Sequence, residues 1–240
     1  MTLNREKKLG LFPLTAHILP GGRMHLRVFE PRYMRLVKDS LRTQEGFGLC
    51  MLNSNGDLSN NEHIYPIGTL VKIIDFESLE DGYLGITIVG ERLFDIKTIT
   101  TEKDGLRVGD VVLRDLPQEV VGNSAENETD ENSPQVQPEL SGGSHDVNPA
   151  FVKVAVATDE CELKRRLQEV FTNYPEFARL YPEQNFDDAR WVCNRWLEIL
   201  PLPAQTKQEL LRHDDAAQLQ AFLRRLFDEN TDEDSSSYAS

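Results

Sequence analysis

The side chains able to carry chemistry are scattered along this chain. The five histidines, His17, His25, His63, His145 and His213, show no metal-ligand spacing such as His-x-x-x-His. His17 and His25 flank the Gly21-Gly22 turn and could meet across a hairpin, but no carboxylate stands by to orient a metal-bound imidazole. Carboxylates pair at Asp187-Asp188 and Asp214-Asp215, each just before helical periodicity begins. Negative charge there caps free amides and meets the positive end of the helix dipole, so capping is expected rather than acid-base catalysis. No Gly-x-Ser-x-Gly elbow presents a nucleophile, and no Gly-x-x-x-x-Gly-Lys-Ser/Thr loop cradles a phosphate. Cys50, Cys161 and Cys193 lie far apart in apolar patterns and read as buried free thiols. No catalytic residue, metal or cofactor is expected.

Binding residues are the better prospect. Phe29, Glu30 and Arg32 sit where a strand hands over to a helix, and Arg92 follows Gly90 at an expected turn between two strands. Either guanidinium could hold a peptide carboxylate or carbonyl, or else serve the fold, with Arg32 pairing to Glu30 or Asp75 and Arg92 tying its turn. Trp191 and Trp196 are too closely out of phase to share a helix face. Trp196 belongs to the apolar stripe, leaving Trp191 to face either the junction between the two halves or solvent.

The elements that must position these groups change character midway. Strands are expected at Leu9–Leu14, His25–Phe29, Gly46–Leu52, Ile67–Phe76, Tyr83–Val89, Arg92–Ile99 and Leu106–Leu116, separated by turns such as Asn55-Gly56-Asp57 and across Asp81-Gly82. One helix interrupts them, opening at Pro31 and running to about Arg42, with Tyr33, Leu36, Val37 and Leu41 on one face and Phe29 placed to staple onto Met34. From 149 the period becomes helical. Asp159 and Glu162 resemble a capping box ahead of Leu163, Leu167, Val170, Phe171 and Tyr174. A second helix carries Val192, Cys193 and Trp196 to the Pro201-Leu202-Pro203 break, a third holds Leu210 and Leu211, and a fourth starts at Asp214.

Charge divides the chain in the same places. The net charge is −14, yet eight acidic residues and no Lys or Arg lie between Asp115 and Val152, and five and none lie from Asp228 onward. The remainder is close to neutral, so a nucleic-acid footprint is not expected. The expected organisation is a strand domain over 1–117, an acidic disordered linker over 118–148, a helical bundle over 149–228 and a disordered acidic tail over 229–240. No apolar run approaches the roughly 20 residues of a membrane span, and Met1 to Pro20 lacks a small-residue cleavage site. A cytoplasmic protein is expected.

Three stretches in order, Leu11-Phe12-Pro13-Leu14, Leu26 through Phe29-Glu30-Pro31-Arg32-Tyr33, and Gly90 through Ile96, resemble the N-terminal substrate-binding domain of Lon proteases. So does the helix that ends at Leu200-Pro201 and restarts towards Lys207-Gln208-Glu209-Leu210-Leu211. The Phe-Glu-Pro-Arg-Tyr corner is similar to small bacterial proteins consisting of this domain alone, without ATPase or peptidase. The resemblance implies an α+β fold, a PUA-like small β-barrel with one early helix followed by an α-helical bundle. It also implies a non-catalytic module that binds polypeptide segments or unfolded proteins, as an adaptor in protein quality control. The alternative is an RNA-binding PUA-like module, which would need a basic groove.

Overall fold

A computed structural model describes residues 5–79, 82–115, 162–213 and 215–236. The strand half contains β1 (Glu6–Leu14), β2 (Arg23–Val28), α1 (Pro31–Thr43), β3 (Phe47–Leu52), β4 (Ile64–Ser78), β5 (Leu84–Thr101) and β6 (Arg107–Leu113). The helical half contains α2 (162–173), α3 (Pro175–Ala178), α4 (Ala189–Ile199), α5 (Ala204–Arg212) and α6 (Ala216–Ser236). The fold is α+β, as expected. The linker expected over 118–148, the capping residue Asp159, Cys161, and Asp214 lie outside the described residues.

The six strands run in the order β2-β5-β4-β3-β1-β6, with a further β5–β6 pairing. Only β1 and β3 are parallel, and the path between them passes through β2 and α1. Pairing of β6 to both β1 and β5 brings five strands round on themselves. β2 stands outside this ring on residues 84–89 of β5, whereas β6 takes residues 94–101. The expected small barrel is therefore not a clean one: β5, 18 residues long, projects past the ring with the end of β4 and carries β2 as an extra strand.

The turn expected between Val89 and Arg92 is absent, and the two strands predicted there form one. The register with β4 slips between Gly90 and Arg92, leaving Glu91 in a bulge. Gly90 is needed for close approach, because a Cβ there would lie 2.3 Å from the Leu19 carbonyl oxygen. Its N–H donates to Gly22 O, and its carbonyl accepts from Gly21 N–H, both at 2.8 Å.

Helix starts follow their sequence signals. Pro31 opens α1, and the Asp188 carboxylate caps α4 by accepting from the amides of Arg190 and Trp191. Asp187 instead pairs with Lys164 at 2.5 Å. At α6 the cap is Asp215, which accepts from Ala217 and Gln218 N–H. α6 continues to Ser236, into the stretch expected to be an unstructured tail, since no Gly or Pro follows Pro203 to break it.

One apolar cluster draws on both halves, bringing Leu19, Met51, Ile67 and Leu93 against Leu167, Phe171, Trp191, Trp196, Leu197 and Leu223. Polar groups bind the same seam. Where the β3–β4 register slips between Cys50 and Leu52, the Gln208 amide acts as a substitute strand, accepting from Ile67 N–H at 3.0 Å and donating to Ile67 O at 2.9 Å. Arg114 reaches from the end of β6 to Asp95 at 2.7 Å and to the Leu211 carbonyl. The Tyr181 hydroxyl accepts from Arg23 N–H at 3.1 Å. His17, 8% exposed, is buried at this seam.

Burial first, then the nearby charges of Lys207 and Arg195, depress the His17 pKa from 6.5 to about 3. The unfolded chain therefore takes up this proton first, so the His17 contribution is full above pH 6.5 and is lost as pH falls towards 3. Wild-type protein is expected to lose about 2 kcal/mol of unfolding free energy through this group between pH 7 and pH 5. Urea unfolding at the two pH values checks this, and His17→Leu should remove most of the difference.

Candidate functional site

A cleft of about 370 Å³ opens at the corner where β2 hands over to α1. Its apolar wall is Phe12, Pro13 and Leu14 from β1, Val28 and Phe29 from the corner, Leu52 from the end of β3 and Leu58 from the β3–β4 loop. The periodicity of β1 explains the wall. Leu9, Leu11 and Phe12 are buried, while the strand's last residues emerge at the cleft. Phe12 stacks on Tyr33 with centroids 4.1 Å apart, and the Arg32 guanidinium lies 4.8 Å from the centroid of the Tyr33 ring. Burial pushes the Tyr33 phenol up, keeping it neutral at physiological pH.

Three arginines, Arg27, Arg32 and Arg107, line the cleft with a single carboxylate, Glu30. Arg32 pairs with Glu30 at 2.6 Å and donates to Gly105 O at 3.2 Å. Arg107 donates to the same carbonyl at 3.1 Å and to Asn61 Oδ1 at 2.8 Å. One neutral oxygen thus gathers two guanidiniums. The carbonyl is held in place by its turn, where Gly105 has φ +85° and Arg35 of α1 bonds Asp104 at 2.7 Å and also reaches Glu102.

Solvent meets large apolar side chains at the rim. Phe29 is 61% exposed and Leu58 67%, and the Phe29 ring rests on Tyr83 with centroids 5.8 Å apart. A recess of about 410 Å³ on the helical half, between Lys164, Phe186, Val192 and Gln220, is a weaker candidate. Its Lys164 and Asp187 neutralise each other. No group of three or more His, Cys, Asp or Glu among the described residues could hold a metal ion.

The model for the family described as "ATP-dependent protease La (LON) substrate-binding domain" matches residues 8–226. The chain belongs to this family. Among solved structures, the Lon N-terminal domain protein from Xanthomonas campestris is similar at 28% identity with a TM-score of 0.58, covering 90% of this chain and 96% of that one. The N-terminal domain of Mycobacterium avium complex Lon protease shares the fold at 16% identity and a TM-score of 0.51, covering 90% and 96%. No curated protein matches the chain.

Within this Lon-type fold, the residues singled out in the sequence separate into two groups. Phe29, Glu30 and Arg32 meet at the cleft. Arg92 is distant from them, beside Pro20, Arg190, Cys193 and Leu219 in a recess of about 50 Å³ between the halves. Trp191 is 8% exposed and packs in the seam against Phe171, Tyr181 and Phe186. Arg27, Leu58, His63 and Arg107 of the cleft escaped the sequence reading, because their places depend on which strand ends and loops the ring brings together. An apolar Leu58 within the polar Asn53–Glu62 stretch was the one available signal. Because both rim side chains are exposed, Phe29→Ser with Leu58→Ser is expected to change unfolding free energy by less than about 1 kcal/mol, measured by urea titration.

Proposed function

We propose that this protein is a non-catalytic recognition module that holds polypeptide segments in the cleft at the β2–α1 corner, as an adaptor in protein quality control. The carrying observation is the exposure of Phe29 and Leu58 above an apolar cleft with hydrogen-bonding groups at its margin. That combination takes up a short apolar segment while its backbone finds polar partners. Membership of the substrate-binding family supports the same reading.

In this proposal the ring of strands is a PUA-like barrel over 1–117, the segment 118–148 is an acidic linker, and 149–228 is the helical bundle that braces the barrel. The buried free thiols of Cys50 and Cys193 suit a reducing cytoplasm. The RNA-binding alternative gains nothing from the basic run at Lys164-Arg165-Arg166. These residues pair with Asp187, Glu162 and Glu169 on the helical surface.

The test is fluorescence anisotropy with a labelled protein kept unfolded by reduction and carboxymethylation. Wild-type protein is expected to bind it, the native form of the same labelled protein to bind much more weakly, and the Phe29→Ser, Leu58→Ser variant to lose about tenfold in affinity. Unchanged binding by the double variant, or displacement by an equal concentration of an RNA hairpin, would contradict the proposal.

A further inference from the structure

We infer that the cleft at the β2–α1 corner recognises the free C-terminus of a polypeptide ending in an apolar residue, with Arg32 and Arg107 engaging the terminal carboxylate. This rests on the polypeptide-binding reading above and specifies which part of the polypeptide is held.

Three independent features converge on that ligand. The first is charge. Arg27, Arg32 and Arg107 face one carboxylate, Glu30, in the lining of the cleft, although the chain as a whole carries −14. Gly105 O draws Arg32 and Arg107 together. Glu30 already pairs with Arg32 at 2.6 Å, whereas Arg107 bonds the neutral acceptors Gly105 O and Asn61 Oδ1, so an incoming anion meets Arg107 and competes with Glu30 for Arg32 beside it. The second is unmet hydrogen bonding in two residues that line the cleft. His63 is 9% exposed and its buried Nδ1 has no hydrogen-bond partner among the described residues, and neither does the buried Nε of Arg32. Buried polar atoms are rarely left so; both belong to residues that line the cleft, and a ligand that displaces these side chains as it enters would satisfy them. The third is size and lining. A cleft of about 370 Å³ walled by Phe12, Pro13, Leu14, Leu52 and Leu58 is near the lower end of ligand-sized cavities.

A chain terminus meets all three demands with one residue. Its α-carboxylate and its apolar side chain share one carbon, so the oxygens reach the arginines while the side chain fills the apolar wall. An internal Asp or Glu carries its carboxylate at the end of the side chain and would have to thread its backbone through the same small space. A passing backbone carbonyl brings one acceptor and no charge.

The test uses the full chain and a fluorescein-labelled peptide with a Gly/Ser body ending in Leu-Leu, as free acid, as C-terminal amide, and as an amide with an internal Glu. The free acid is expected to bind at least about tenfold more tightly than either amide. Arg107→Gln and Arg32→Gln should each bring the acid-to-amide ratio close to one, while Phe29→Ser weakens acid and amide alike. Because both arginines also hold the Gly105 turn, His63→Leu provides a variant that leaves those bonds intact, and it should lower the ratio about threefold. The ratio is an internal control, since a general loss of structure lowers both affinities together. Equal affinity for acid and amide, equal affinity for the internal-Glu peptide, displacement of the free acid by a single-stranded RNA oligonucleotide, or an unchanged ratio in all three variants would overturn the inference. If the peptides fail to bind while the unfolded protein still binds through Phe29 and Leu58, this inference falls and the recognition function stands. If the unfolded protein does not bind either, both fall.

Discussion

Everything in this fold hangs on a buried ion pair at the corner between β1 and β2. Arg195, fully buried in α4, donates to Glu198 at 2.6 and 2.7 Å, and to the carbonyls of Leu19 and Pro20 at 3.5 and 3.3 Å. Glu198 in turn accepts from Leu19 N–H at 2.5 Å. Burial pushes the Glu198 carboxyl up, and Arg195 pulls it back. The guanidinium lies 5.5 Å from the centroid of Tyr181 and 5.2 Å from that of Trp191. Taking both charges out of water is costly; their mutual attraction and the backbone bonds at Leu19 and Pro20 offset that cost in part, while the buried Arg195 Nη1 has no hydrogen-bond partner among the described residues. What such a pair fixes is geometry. A Cβ on Gly22 would lie 2.3 Å from Glu198 Oε1, so strand corner and helix fit in one arrangement.

That arrangement places the cleft. β2 leaves the locked corner at Arg23 and ends at Val28, where Phe29 and Glu30 lead into α1. The helical half grips one end of this strand, and the recognition residues stand at the other. β2 pairs with β5 along its length and lies outside the closed ring, so its position depends on two things: the ladder to β5 and the anchor on α4. Gln208 of α5 serves a neighbouring strand by satisfying the Ile67 backbone that the sheet leaves open, and Arg114 ties the other way, from the end of β6 to the Leu211 carbonyl of α5. The division of labour is physical: helices fix the frame, strands and their loops present the surface.

Local signals in the sequence carried far for elements and poorly for the site. Pro31 at the start of α1, Asp188 before α4 and the Pro201–Pro203 break are short-range chemistry, and each is found where its local rule places it. The turn expected at Gly90 was misread because a glycine in an apolar run signals either a turn or a close backbone approach. The Leu19 carbonyl that decides between them is 71 positions away. Trp191 could be placed off the Trp196 stripe, but its burial against Gly21 and Tyr181 required the two halves to be docked. Arg107 and His63 are the clearest cases of what the sequence withholds. Arg107 is ordinary at the start of β6 and His63 in the loop before β4, and each becomes notable only when the ring of strands sets it in one cleft with Arg32.

The claim at the centre of this account is that the corner cleft, rather than the helical half, is where the protein meets its partner. Hydrogen–deuterium exchange of the full chain, with and without saturating unfolded polypeptide, tests it most directly. Amides of residues 27–33 and 56–63 are expected to exchange more slowly in the complex, with those of 164–168 and 186–193 unchanged. Protection confined to the helical residues, or spread evenly over the chain, would contradict it.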